Sequence, residues 1–172
     1  IIRALEHASF VNEAKLEIVW VDDDIDKLGE AEGILVPGGF GQRGIENMIK
    51  ASSYARDNDI PYLGICLGMQ VLCIDLARNM FDLKGADSIE FNPQTPYPII
   101  VLHEDVQANT MGGTMRLGLK DINIDVSSSA YEYYGQTIIR ERFRHRYTLN
   151  SKYADIFAEN PNLYVNPVSY TH

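Results

Sequence analysis

Ile60-Pro-Tyr-Leu-Gly-Ile-Cys-Leu-Gly-Met-Gln70 decides the fold of this chain. It predicts a short buried strand, a tight turn over Gly64-Ile65-Cys66-Leu67-Gly68, and a helix running on through Val71 to Arg78. A Gly-x-nucleophile-x-Gly turn between strand and helix is a nucleophile elbow, here carrying sulfur in place of the serine oxygen. Both glycines are needed because a Cβ on either side would crowd a strained turn. The elbow predicts that Cys66 projects from the N-terminus of a helix. Unpaired N–H groups there favour the thiolate, the form that attacks carbonyls. Acyl transfer at Cys66 is the chemistry the motif points to.

Outward from the elbow, helix and apolar strand alternate. Apolar residues at Ala4, Leu5, Ala8 and Val11 predict a helix over 2–14. Leu16 to Val21 reads as a strand ending in the acidic turn Asp22-Asp23-Asp24. Gly33 to Val36 reads as a second, buried strand closed by Pro37-Gly38-Gly39-Phe40-Gly41, and Gly44 to Arg56 as a helix. This order predicts an α/β fold: a mostly parallel sheet flanked by helices, with the site beyond the carboxyl ends of its strands. Both glycine-rich turns fall at that edge and can face one another. After about residue 85 the pattern becomes irregular, with a proline-bearing connection over Phe91 to Pro98 and strands at Ile99 to Leu102 and Arg140 to Leu149. Gly112 to Gly118 reads as a turn and strand, Ser127-Ser-Ser129 as an exposed turn, and Ser151 to Glu159 as a short helix. In a strand, Arg140, Arg142, Arg144 and Arg146 would share one side, with His145 on the other.

Bulk properties narrow the function. The chain has 172 residues, 45% of them hydrophobic, enough for one domain with a sizeable core. No apolar run approaches the roughly 18 residues a bilayer requires. A net charge of −9 argues against binding a phosphate backbone, though not against a local basic pocket. Two cysteines make no disulfide framework, and a reducing, cytoplasmic setting is expected. Cys73, two helical turns beyond Cys66, reads as a small core residue. A thiolate attacking a carbonyl creates an oxyanion that needs backbone donors. Gly38-Gly39-Phe40-Gly41 can supply one, and the Leu67 N–H, just after the nucleophile, is the natural second.

Taken together, these motifs resemble the class I glutamine amidotransferases, and among them the glutaminase domains of the CTP synthase family. Ile34-Leu-Val-Pro-Gly-Gly-Phe-Gly-Gln-Arg-Gly44 is similar to the family's oxyanion strand and loop, and Pro61 to Gln70 to its nucleophile segment. Ala77-Arg-Asn79, Glu90-Phe-Asn-Pro93, Gly112-Gly-Thr-Met-Arg-Leu-Gly118 and Arg144-His-Arg-Tyr147 resemble its downstream landmarks. The resemblance implies a flavodoxin-like three-layer fold in which Cys66 forms a glutamyl thioester while ammonia leaves. It implies an oxyanion hole at Gly39 and Leu67. Gln70 and Glu90 would hold the α-ammonium of glutamine and Arg146 with the Phe40 backbone its α-carboxylate, with Gly38 also in the substrate-binding site. An amino acid substrate needs such a carboxylate and guanidinium, shielded from water. No cofactor is implied in this domain. ATP and Mg²⁺ belong to a synthase domain that aminates UTP to CTP, and GTP is a possible activator acting near Gly112 to Gly118. The full-length protein would be a homotetramer, with L-glutamine and the synthase domain as partners and neither nucleic acid nor membrane among them.

A cysteine amidase also needs a base, which the family supplies as His-Pro-Glu near the domain's C-terminus. Nothing in Val165 to His172 matches it. The chain opens at Ile1 with no strand ahead of its first helix. The expectation is a single amidotransferase domain lacking its first strand and its His/Glu segment, as a piece of a longer polypeptide. His172 is an alternative candidate for the missing histidine. A catalytically incomplete glutamine-binding or regulatory module is the alternative function.

Overall fold

The computed structural model describes residues 1–22, 24–103 and 116–159, in two compact units, Ile1–Lys84 and Gly85–His172. Residues 112–115, the 165–172 segment and His172 lie outside the described residues.

In the first unit, α1 (Ile2–Val11) is followed by a 3-10 turn (Ile25–Glu30), β1 (Ile34–Val36), α2 (Ile45–Asp57), β2 (Tyr62–Gly64) and α3 (Leu67–Asn79). The pattern of apolar residues placed α1, β1, α2, β2 and α3, but β2, expected to be buried, is not: Leu63 is 56% exposed. The pattern failed at 16–21, which joins no ladder among the described residues; Trp20 is 68% exposed. Alternating Val, Ile and Trp suit a pleated surface, but a strand exists only where a partner satisfies its N–H and C=O groups. α1 likewise buries none of its residues, despite its amphipathic spacing.

β1 and β2 run parallel in the register Ile34–Tyr62, Leu35–Leu63, Val36–Gly64. The Ile65 N–H donating to the Val36 carbonyl at 2.9 Å extends the pairing by one residue. α2 starts at Gly44, which adopts φ 77° and so tolerates no Cβ without strain. It buries Ile45, Ile49 and Ser52 at helical spacing. α3 buries residues on every side, Val71, Ile74 and Ala77 completely, as a helix enclosed by its neighbours must.

One buried charge joins the two helices. Asp75 on α3 is fully buried. It accepts hydrogen bonds from Ser52 (3.1 Å) and Ser53 of α2 and from Asn79 (2.7 Å), with the Arg56 Nε at 3.5 Å. A desolvated carboxylate is tolerated only with this many donors. At the other end of the pair, Arg78 grips Glu46 through both carboxylate oxygens, at 3.1 and 3.2 Å.

In the second unit β3 (Ala86–Ser88), β4 (Tyr97–Leu102) and β7 (Tyr147–Leu149) form one sheet, β3 parallel and β7 antiparallel to β4. Ile99 and Ile100 are completely buried. Thr95 ties the proline-bearing connection down by donating to the Gly85 carbonyl at 2.7 Å. A separate ribbon pairs β5 (Arg116–Asn123) with β6 (Ile138–His145). Between them α4 (Ser129–Tyr134) begins at Ser128, which accepts from the Tyr131 N–H at 3.2 Å. Of the serine triplet only Ser127 is an exposed turn residue; Ser128 is a buried N-cap. A 3-10 turn (Ser151–Tyr153) and α5 (Ala154–Ala158) follow, burying Tyr153 and Phe157.

The single strand expected over 140–149 is two strands. β6 ends at His145, Arg146 lies between them, and β7 starts at Tyr147 in a different sheet. Arg146 therefore does not continue the alternation of Arg140 and Arg142. Its carbonyl instead accepts from the His103 N–H at 3.0 Å, at the end of β4.

Replacing Asp75 by Ala leaves Arg56 with Asp57 alone and removes the acceptor for Ser52, Ser53 and Asn79. Urea denaturation is expected to show a loss of about 3 kcal/mol or more, against about 1 kcal/mol for Ser52→Ala.

Candidate active site

The parallel register of β1 and β2 brings two loops side by side at the strands' carboxyl ends. β1 runs into Pro37–Gly41 and β2 into Ile65-Cys66. A Cβ built on Gly38 would lie 3.3 Å from the Cys66 Cβ and 4.0 Å from its Sγ, so the sulfur faces the glycine loop. A Cβ on Gly39 would come 3.1 Å from the Leu67 side chain. Neither expected oxyanion donor, the Gly39 or the Leu67 N–H, is committed to a backbone carbonyl among the described residues.

Cys66 caps α3 with φ 55° and ψ −103°, a conformation that L side chains avoid. Such strain costs about 1–3 kcal/mol and persists only where the surroundings enforce it. The glycines show what enforces it. A Cβ on Gly68 would sit 2.1 Å from the Val36 carbonyl oxygen, and one on Gly64 2.5 Å from the Gly68 carbonyl carbon. Strand, turn and helix meet here with no room for any side chain.

The two cysteines differ in kind. Cys66 is half-buried and Cys73 buried. Burial pushes the Cys73 thiol up from 9.0 to about 12, against a weaker lowering by its own backbone hydrogen bond. It is an inert core residue, as its position on the helix implied. Gln70, one turn beyond Cys66 on α3, is 5% exposed. Phe40 is 64% exposed on the glycine loop.

Glu90 and Arg146 belong to the second unit, where β4 organises them. Glu90 follows β3 just past the Ile89 N–H, which donates to the Ile100 carbonyl at 3.0 Å. Arg146 precedes β7, whose Tyr147 pairs with Leu102. Both charges therefore flank the carboxyl end of β4. Tyr147 registers them: burial raises its hydroxyl pKa first, the Glu90 charge raises it further, and the Arg146 charge opposes. An anion and a cation on either side of one strand end are suited to the two ends of an amino acid. Sequence reasoning did not single out Tyr147 as the residue between these charges, though the Arg144-His-Arg-Tyr147 segment contained it. It also missed the pairing of His103 with His145, whose rings lie edge-to-face at 5.9 Å. The His145 Nδ1 is 3.0 Å from the Tyr147 carbonyl oxygen. Only the turn between β6 and β7 brings that pair together. His7 is exposed on α1.

Among the described residues, no group of three or more His, Cys, Asp or Glu could hold a metal ion. Nor is any helix there long and apolar enough to cross a membrane.

The family description "Glutamine amidotransferase class-I" matches residues 1–165. The chain is 45% identical over 166 residues to a CTP synthase of Streptococcus agalactiae serotype Ia, and 43% identical to one of Streptococcus pyogenes serotype M4. Each match covers 91% of this chain and 31% of the relative, so the chain spans about a third of these curated relatives' length. The glutaminase domain of a Trypanosoma brucei CTP synthase, solved with bound acivicin, superposes with a TM-score of 0.83 at 36% identity. That match covers 90% of this chain and 62% of the other. The chain belongs to the class-I glutamine amidotransferase family.

Two predictions test the elbow. Gly68→Ala drives a methyl group into the Val36 carbonyl and is expected to cost more than about 3 kcal/mol or prevent folding. Gly41→Ala meets nothing within 4 Å, but its φ of +88° should still cost about 1 kcal/mol. Denaturation of the two variants checks the contrast.

Cys73 supplies a test by pH. Its folded pKa lies above its unfolded value, so its contribution is complete below pH 9.0 and is lost as pH rises toward about 12. Stability should fall by up to about 1.4 kcal/mol per pH unit in that window. The slope is expected to lessen in Cys73→Ala.

Proposed function

We propose that this chain is the glutaminase portion of a CTP synthase, with Cys66 as its nucleophile. The observation that carries the proposal is the Cys66 thiol, held at a strained turn facing Gly38. The curated relatives named as CTP synthases and the acivicin-bearing trypanosomal domain support it.

The chemistry follows from the groups. The Cys66 sulfur adds to the side-chain amide carbon of glutamine, and the carbonyl π pair moves onto oxygen. The Gly39 and Leu67 N–H groups receive that oxyanion. The C–N bond breaks as the nitrogen takes up the proton lost by the thiol, releasing ammonia and leaving a glutamyl thioester. Water then cleaves the thioester to glutamate and free thiol. Glu90 and Gln70 bind the α-ammonium; Arg146, with the Phe40 and Gly38 backbone, binds the α-carboxylate. Ammonia passes to a synthase domain, where ATP and Mg²⁺ drive amination of UTP to CTP. GTP activation, a homotetrameric full-length enzyme and a cytoplasmic setting complete the proposal.

One observation favours a second reading, a glutamine-binding module without turnover. Of the described histidines, His7 is exposed on α1, while His103 and His145 pack on each other in the second unit. None of these belongs to a His-Pro-Glu sequence.

A glutamine-mimicking chloroketone separates the readings. Mass spectrometry is expected to find the adduct at Cys66, protected by glutamine and abolished in Cys66→Ser. Glu90→Gln and Arg146→Ala should each raise the glutamine concentration needed for protection about tenfold or more, since each deletes a charge-assisted contact. Labelling that glutamine does not protect would refute a glutaminase site. Glutamine binding measured by calorimetry without any adduct would establish the second reading.

A further inference from the structure

We infer that Tyr62 is a positioning residue for the nucleophile: its hydroxyl, donated to the Gly68 carbonyl, holds the first turn of α3 where it presents Cys66. The inference rests on the glutaminase reading and extends it to a residue outside the reacting set.

Tyr62 opens β2, two residues before Gly64. Its hydroxyl donates to the Gly68 carbonyl oxygen at 2.8 Å, so the strand entering the turn grips the helix leaving it. The Val36 carbonyl blocks Gly68 in another direction, at 2.1 Å from the position of a Cβ. Gly68 is thus confined by both strands of the parallel pair. Asp75 does not compete for the tyrosine proton, because Ser52, Ser53 and Asn79 already supply its oxygens. Burial raises the Tyr62 hydroxyl pKa well above the usual tyrosine range, and the charges of Asp75 and Cys73 raise it further. The group stays a protonated donor throughout the neutral and mildly alkaline range.

Magnitude makes the bond matter. A net intramolecular hydrogen bond is of the same order as the strain held at Cys66. Without it the Gly68–Met69 peptide keeps only the Met69 N–H donated to the Cys66 carbonyl at 3.1 Å and the packing on Val36, and the turn can relax toward an ordinary conformation. The thiol would then leave its place beside Gly38. Glu90 and Arg146, the charged ligands proposed for glutamine, are outside this turn, so most of the binding survives although Gln70 lies within it.

Tyr62→Phe removes only the oxygen and tests the inference. The full chain is titrated with the chloroketone, separating its half-saturating concentration from the maximal rate of Cys66 modification. The maximal rate is expected to fall about tenfold while the half-saturating concentration changes by less than about twofold. The thermal midpoint should move only a few degrees. Backbone hydrogen exchange at Gly68, Met69 and Gln70 should quicken by about fivefold or more, with α2 unaffected. An unchanged maximal rate, or one lost only in step with a general loss of folding, overturns the positioning role. Unchanged exchange in the elbow overturns the lock itself. If the wild-type chain is not labelled, the glutaminase reading falls, and the exchange rates alone decide whether Tyr62 holds the turn.

Discussion

The approach of the Val36 carbonyl to Gly68 is the constraint on which the elbow depends. A parallel strand, a helix and the turn between them can come this close only where both turn glycines lack side chains. That contact sets the register of β1 and β2, and through it the proximity of the glycine loop to the thiol. The strained Cys66 backbone follows, because the chain has no other way to pass from β2 into α3 without losing the pairing. The sulfur is placed by backbone packing, and its own side chain contributes little.

Packing behind the turn keeps this arrangement rigid. Asp75 binds α2 to α3 through hydrogen bonds from Ser52 and Ser53 and an ion pair with Arg56, and α2 itself begins a few residues after the glycine loop. Of the two candidate oxyanion donors, Leu67 opens α3 and Gly39 lies in the loop that leads into α2. Charge buried in this manner adds little net stability compared with a well-packed apolar core. What it contributes here is a defined spacing between the two loops.

The second unit solves a different problem, holding opposite charges near one another. β4 is the ruler. Glu90 and Arg146 come from distant parts of the chain and meet at its carboxyl end because β3 and β7 pair on either side of it. Tyr147 between them feels both charges.

The amino-acid sequence by itself determined the elbow, its glycines, the helices around them and the inert character of Cys73. All of these are local: a turn that admits no Cβ and a helix with apolar residues on every side are written in consecutive residues. The parallel pairing was legible too, since Gly33–Val36 and Ile60–Ile65 are short apolar runs bounded by turns. Only the tertiary structure decided which strand-like segments become strands. Leu16 to Val21 has the right composition and no partner among the described residues, whereas 140–149 divides because Arg146 stands where the chain leaves one sheet for another. Ser128 became a buried cap, Asp75 a hub and His145 a partner of His103 for the same reason. Hydrogen bonds between residues far apart in sequence obey no periodicity, so they leave no pattern to read until the chain has folded.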